Sequence, residues 1–432
     1  MQRLDMSLHA IIRRILSELN GQIVDHGERM AYMYLKMTQY RNIPDSGHVE
    51  NMMLAYFAHD IGAYKTEKFL DLLSFDVKNT LEHCIYGYLF MKYFSPVGDD
   101  AEAILYHHTV YADRAKYNST RLDDGILMHL LDRADILNMK GDSAEDIVRV
   151  LEKGAGSNFN PQDVEDFIKA DEKYHIIESL KDGTYKVDVM NYLDDEDRTA
   201  RLVGPIVDML AYEVDFLSEQ TVVHTITLTI LAEILGRKLG LSDEEIWETR
   251  AAARIHDLGK IKIPISILEK AGRLTPEEFA VMKKHILYTE IIIGDIVPRK
   301  IVRIAVRHHE RLDGTGYPRG LTGKELTVQE RLLAVADMAS ALMQRRSYKE
   351  AMDKQTVVSI LSDEADRGRL DADIVNTLIE DYDEIVGEVA DSVAGTISTY
   401  ENLTDEYNSY LRKYSSEEHK QIEEFGLFSL QP

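Results

Sequence analysis

The residues of this 432-residue chain that could do chemistry cluster in two short segments. His308-His309-Glu310 runs into Asp313-Gly314-Thr315-Gly316-Tyr317-Pro318. Two adjacent imidazoles, each a metal donor, thus stand beside a turn whose glycines permit backbone angles that a Cβ would exclude, which lets the chain approach a ligand closely. Upstream, His256-Asp257 is followed three residues later by Lys260. An imidazole, a carboxylate and an ammonium group are what a phosphate-cleaving metal site requires. Adding His224, His285 and Asp337 gives five imidazoles and two carboxylates, enough for two cations. Cations about 3.5 to 4 Å apart can clamp a phosphodiester, activate a bridging water as hydroxide and stabilise the departing oxygen. Asp257 is the natural bridge, because a carboxylate offers two oxygens and an imidazole one metal-facing nitrogen. Mixed N and O donors suit iron or manganese first, then zinc, ahead of magnesium or calcium, which favour oxygen. Lys260 is placed to reach a phosphate oxygen. Any one of these histidines alone reads as a satisfied core or surface residue; the set reads as a metal centre.

The same pattern occurs twice. From His224 through His256, His285 and His308-His309 to Asp337 the spacings are 32, 29, 23 and 28, counted from the second residue of the pair; from His26 through His59-Asp60, His83 and His107-His108 to Asp135 they are 33, 24, 24 and 27. An internal duplication with a second metal site at His26, His59, Asp60, His83, His107, His108 and Asp135 follows as an expectation. That copy has Ala63 where the later one has Lys260, and Thr109-Val110-Tyr111 where the later one turns through glycine.

These residues need rigid elements to hold them. Apolar residues recur at helical spacing, as in Ile226, Ile230, Leu231, Ile234 and Leu235. Helix starts are signalled by Ser242-Asp243-Glu244-Glu245 and Thr275-Pro276-Glu277-Glu278, and a helix end by Gly236 and Gly240. Phe159-Asn160-Pro161 and Leu370-Asp371-Ala372 each open a late helix. Only Thr184 to Met190 leaves room for a short strand. The expected fold is all-α: two tandem helical bundles related by duplication. Residues 1–193 form the first, 194–204 a linker around Asp194-Asp195-Glu196-Asp197, 205–394 the second, and 395–432 a polar helical tail that could pair with a second copy as a homodimer.

Composition narrows the partners. Lys and Arg total 50 against 75 Asp and Glu, a formal charge of -25, which disfavours long-range attraction to nucleic acid polymers or anionic membranes. An anionic substrate therefore needs a local positive site. The single cysteine, Cys84, rules out an intrachain disulfide and fits a reducing compartment such as the cytoplasm. No run of about 18 apolar residues occurs, the length a membrane-spanning helix would need, so the expectation is a soluble protein.

Residues 200 to 390 resemble the HD-GYP family, the branch of the HD phosphohydrolases that hydrolyses cyclic dinucleotides. The match lies in AARIHDLGKIKIPISILEKAGRLTPEEF, KKH, HHERLDGTGYPRGL, VADMASAL and RRSYKEA. The resemblance implies an enzyme that opens cyclic di-GMP or cyclic GMP-AMP to the linear dinucleotide. It gives the seven later residues as metal ligands, Lys260 as a contact to the scissile phosphate, and Arg346, Lys349 and, more weakly, Arg319 as further substrate contacts. Two departures qualify it. Members with a third metal carry Glu four residues before the first ligand His, where this chain has Gln220, so a two-metal centre is expected. Many members have Asp three residues after the last ligand Asp, where this chain has Ser340, which leaves room for an adenine-containing substrate. The earlier copy would be a second phosphohydrolase acting on a smaller phosphate, or a sensing or dimerising module. A catalytically silent cyclic-dinucleotide receptor and a mononucleotide phosphohydrolase are the competing readings of the whole chain, and regulatory protein partners stay open.

Overall fold

The computed structural model describes residues 7–63, 81–216, 221–268, 270, 272–294, 297–343 and 352–425. Within them every regular element is helical, with two isolated bridges and no strand. Local chemistry sets the helix ends. Ser242 Oγ accepts the Glu245 amide while the Glu245 carboxylate accepts the Ser242 amide, and Thr275 and Glu278 repeat the exchange, so each helix has two of its orphan donors satisfied. Asn160 and Asp371 cap their helices through side-chain oxygens. Thr184 to Met190 lies in the helix Tyr185–Leu193 and its cap, because Tyr185, Val189 and Leu193 recur every four residues and bury one face.

One compact unit comprises Ser7–Ile206 together with the chain from Glu401. Its core is built on α1 (Leu8–Tyr40), α2 (Gly47–Phe57), α3 (Leu81–Phe94) and α4 (Leu122–Met139), with Met33, Met52, Ile85, Phe90 and Leu130 fully enclosed. The acidic run at 194–197 is no loop linker. Asp194 accepts from Ser7 Oγ and the His9 amide, Asp195 accepts the Arg198 amide, and α5 (Glu196–Phe216) begins there. Arg198 and Arg201 then pair with the buried Glu50 carboxylate, which holds this stretch to the first unit up to Ile206.

The other unit holds Val207–Tyr400. There α6 (Thr221–Lys238) packs on α7 (Asp243–Ile255), α8 (His285–Ile293) packs on the 3-10 turn Leu258–Lys262 that follows α7, and α9 (Arg299–Ala305) and α10 (Val328–Met343) close the bundle. The tail is the continuation of one helix, α11 (Tyr382–Phe425). From Glu401 it belongs to the first unit, where Tyr407 and Tyr410 meet Tyr86 and Tyr88 edge-on and Glu406 pairs with Lys92 at 3.0 Å. These tyrosines therefore pack on α3 within the first unit.

Candidate metal centre

The seven later residues come from five places in the helical frame. Helix α6 carries His224, the C-terminal end of α7 delivers His256 and Asp257, α8 opens on His285, the turn after α9 presents His308 and His309, and α10 carries Asp337. The structure brings them together. Asp257 lies between two groups: its Oδ2 is 3.0 Å from His256 Nε2, its Oδ1 3.3 Å from His285 Nε2 and 4.0 Å from His308 Nε2. Asp337 faces His224 Nε2 at 3.2 Å through one oxygen and His309 Nδ1 at 3.7 Å through the other.

The ring orientations are set from behind. His256, His285 and His308 each donate Nδ1–H to the carbonyl three residues earlier, at 2.7, 2.7 and 2.6 Å. A nitrogen facing a carbonyl must carry the proton, so each Nε2 presents a lone pair to the common space. Those three Nε2 atoms and Asp257 Oδ1 are buried without a hydrogen-bond partner. Lone pairs turned on one another in a dry pocket are costly unless a cation lies among them, and the donor set fits a divalent metal. Burial keeps His224, His285 and His308 below their ordinary value and His309 down at about 3, so these imidazoles are neutral and able to ligate. For Asp257 and Asp337 burial acts the other way, yet the neighbouring imidazoles, with Lys260 beside Asp257, hold both carboxylates well below the usual range.

The supporting shell explains several sequence features. Lys260 donates to Asp257 Oδ2. Gly259 lies against α8, where a Cβ would sit 2.0 Å from the His285 carbonyl. In the glycine turn the buried Glu310 carboxylate accepts the Arg319 and Leu321 amides at 2.8 and 2.9 Å, which folds the loop back so that the Tyr317 ring lies 4.7 Å from His309. Arg319 itself is exposed and pairs with Glu290 on α8. Ser340 is fully buried and its Oγ lies 3.0 Å from His224 Nδ1, behind the ring whose Nε2 faces Asp337. Arg346, Lys349 and Gln220 lie outside the described residues.

The earlier histidines gather in the same manner. His59 and His107 donate Nδ1–H to the carbonyls three residues before them, at 2.9 and 2.6 Å. The Ala63 amide bonds the Asp60 carbonyl as that of Lys260 bonds Asp257, at 2.9 and 2.8 Å. A Cβ on Gly62 would sit 2.1 Å from the His83 carbonyl, as one on Gly259 would from His285. One expected ligand is corrected. Asp135 Oδ2 is 2.7 Å from His26 Nδ1 and the carboxylate is clamped by Arg29, so it stands behind the ring; Asp132, one turn earlier on α4, faces His26 Nε2 at 3.2 Å. Counting residues from His108 without allowing for the missing glycine turn shifts the assignment by one helical turn. The pair Asp132 and Asp135 matches Asp337 and Ser340 in spacing and in role, a signal present in the sequence. His129 and Cys84 also join this cluster.

Residues 206–374, which carry this His-Asp centre, match the family model described as an HD domain. The chain is similar to 3'3'-cGAMP-specific phosphodiesterase 1 of Vibrio cholerae, at 27% identity over 85% of this chain and 89% of that one. It is also similar to the cyclic di-GMP phosphodiesterase response regulator RpfG of Xanthomonas campestris, at 37% identity over 42% of this chain and 47% of that one. A solved cyclic GMP-AMP-specific phosphodiesterase of V. cholerae aligns over 87% of this chain and 97% of its own with a TM-score of 0.48 and 19% identity. No helix among the described residues is long and apolar enough to cross a membrane.

Proposed function

We propose that the HD domain hydrolyses a cyclic dinucleotide to its linear form, cyclic GMP-AMP ahead of cyclic di-GMP. The observation that carries this reading is the set of unpartnered lone pairs on His256, His285, His308 and Asp257 in one dry pocket, flanked by Lys260. The order of substrates rests on similarity to a cGAMP-specific enzyme that runs through both halves of the chain. His224, His256, His285, His308, His309, Asp257 and Asp337 would hold two divalent metals, iron or manganese, which supply Lewis acidity and a hydroxide nucleophile at neutral pH. The protein's own part is positioning. Asp257 serves both halves of the donor set with its two oxygens. Lys260, held against Asp257, offers its ammonium to a phosphate oxygen, with Arg346 and Lys349 as the further cationic contacts. The turn built on Glu310 sets Tyr317 beside His309 as a wall of the pocket. A silent receptor would need neither the neutral imidazoles nor the bridging carboxylate.

The first unit is read as a divergent HD-type domain, on the matched contacts at Gly62 and Gly259, Ala63 and Lys260. Without the lysine and the glycine turn it would accept a smaller phosphate, such as the terminal phosphate of the linear product.

The test is product analysis after protein loaded with Fe(II) or Mn(II) meets each cyclic dinucleotide, beside an Asp257→Ala control. Linear product from the unsubstituted protein alone supports the proposal; no turnover despite bound metal overturns it. Phosphate release from the linear product that survives His256→Ala but not His59→Ala would assign the second activity.

A further inference from the structure

We propose that Cys84 is a metal ligand, which makes the N-terminal cluster a nitrogen, oxygen and sulfur centre, unlike the purely nitrogen and oxygen set of the HD domain. The inference rests on the reading that the N-terminal cluster binds metal at all. Cys84 follows His83 on α3, is buried, and has its Sγ 3.7 Å from His83 Nε2. The ligand atoms of His83, Cys84, His107 and His108 all lie within 4.8 Å of one another. His83 Nε2 is 3.2 Å from His107 Nε2 and 3.1 Å from His108 Nε2. A tetrahedral ion with metal–nitrogen bonds of about 2.0 to 2.1 Å and a metal–sulfur bond of about 2.3 Å sets its nitrogens roughly 3.3 Å apart and its sulfur roughly 3.6 Å from each. Separations of 3.1, 3.2 and 3.7 Å are those of ligands around one ion, and at the two shorter ones unprotonated nitrogens would repel with nothing between them.

A buried cysteine is usually a small apolar filler, so the comparison with the HD domain matters. The residue after its ligand His285 is Ile286, fully buried in the core. In the first unit the same place holds a sulfur gathered with three imidazoles. Where the HD domain places the Lys260 ammonium against its bridging carboxylate, the first unit has the buried Ala63. Relative to the HD domain the N-terminal centre lacks the Lys260 ammonium and gains a thiolate and the Asp135 carboxylate, while Arg29 and Arg133 back its two aspartates. Binding releases the Cys84 proton to solvent, and a thiolate steers the site toward zinc or iron(II) over manganese or magnesium.

The experiment uses the full chain carrying Asp257→Ala, stripped with a chelator and loaded with Co(II). The expected result is near-ultraviolet thiolate-to-cobalt charge-transfer absorption, lost entirely with Cys84→Ser while bound cobalt persists. The chain has one cysteine, so the band in the protein that keeps Cys84 has no other source, and the answer stands even where Cys84→Ser fails to fold. Cobalt retained through Asp60 without that band overturns the sulfur ligand and leaves the metal reading intact. No cobalt retained by the Asp257→Ala protein overturns both.

Discussion

Asp257 and Lys260 show how a side chain acquires a role from its neighbours. A carboxylate in a dry pocket would ordinarily take up a proton, but imidazoles on both sides and the Lys260 ammonium keep it charged. Lys260→Met should therefore lower turnover by about 10²- to 10³-fold, the usual loss for one electrostatic contact to a reacting group, while metal content measured by elemental analysis stays unchanged. The buried imidazoles make a second prediction, for chelator-treated protein. His309 is held at about 3 and His224, His285 and His308 are also lowered from 6.5, burial being the first cause for each. The folded HD domain thus binds fewer protons than the unfolded chain. The stability these four contribute is complete above pH 6.5 and is lost as pH falls through their lowered values, about 3 for His309. His256 is raised, Asp257 outweighing burial, and opposes them, since its contribution is complete below pH 6.5 and lost above. His309, held at about 3, by itself withdraws about 2 kcal/mol between pH 6.5 and 5. The thermal midpoint of metal-free protein should drop by several degrees over that interval, and a midpoint that rises on acidification would contradict the assignment.

Helices α6 to α10 give the site its precision, and the glycine turn gives it a wall. At Gly316 an added Cβ would lie 2.4 Å from the Arg311 amide nitrogen and 2.5 Å from Glu310 Cα, both backbone atoms that cannot swing aside. Gly316→Ala should cost about 1 to 3 kcal/mol, the range for overpacking, and should raise KM more than it lowers metal affinity, because the turn carries Tyr317 but supplies no ligand itself. Calorimetry and steady-state kinetics on the one variant separate the two effects. An unchanged thermal midpoint would mean that the turn relaxes freely.

Across the whole molecule, two clusters of His and Asp that could hold metal are carried on a chain whose net charge is -25. Ligands that bind only the folded state stabilise it by mass action, about 2.7 kcal/mol at a hundredfold excess over Kd. Manganese added to stripped protein should raise the thermal midpoint, and Asp257→Ala should remove the part of that rise that belongs to the HD domain. That the seven later residues would converge was legible in sequence because His256-Asp257 and His308-His309 are adjacent pairs and the glycine turn follows directly. The capping boxes at Ser242 and Thr275 were legible because they act over three residues. What spacing could not determine was side-chain direction. Asp132 and Asp135 are one turn apart on α4, and only the packing of α1 against that helix decides which faces the cluster and which stands behind His26. The same holds for Ser340 behind His224, for Cys84 beside three imidazoles, and for the acidic run at 194–197, which reads as a linker until Ser7, His9 and Arg198 are seen to engage it. Residue type and local periodicity act along the chain and are written in it. The choice of partner for a buried carboxylate or sulfur depends on groups a hundred residues away, and only the folded helices bring those within reach.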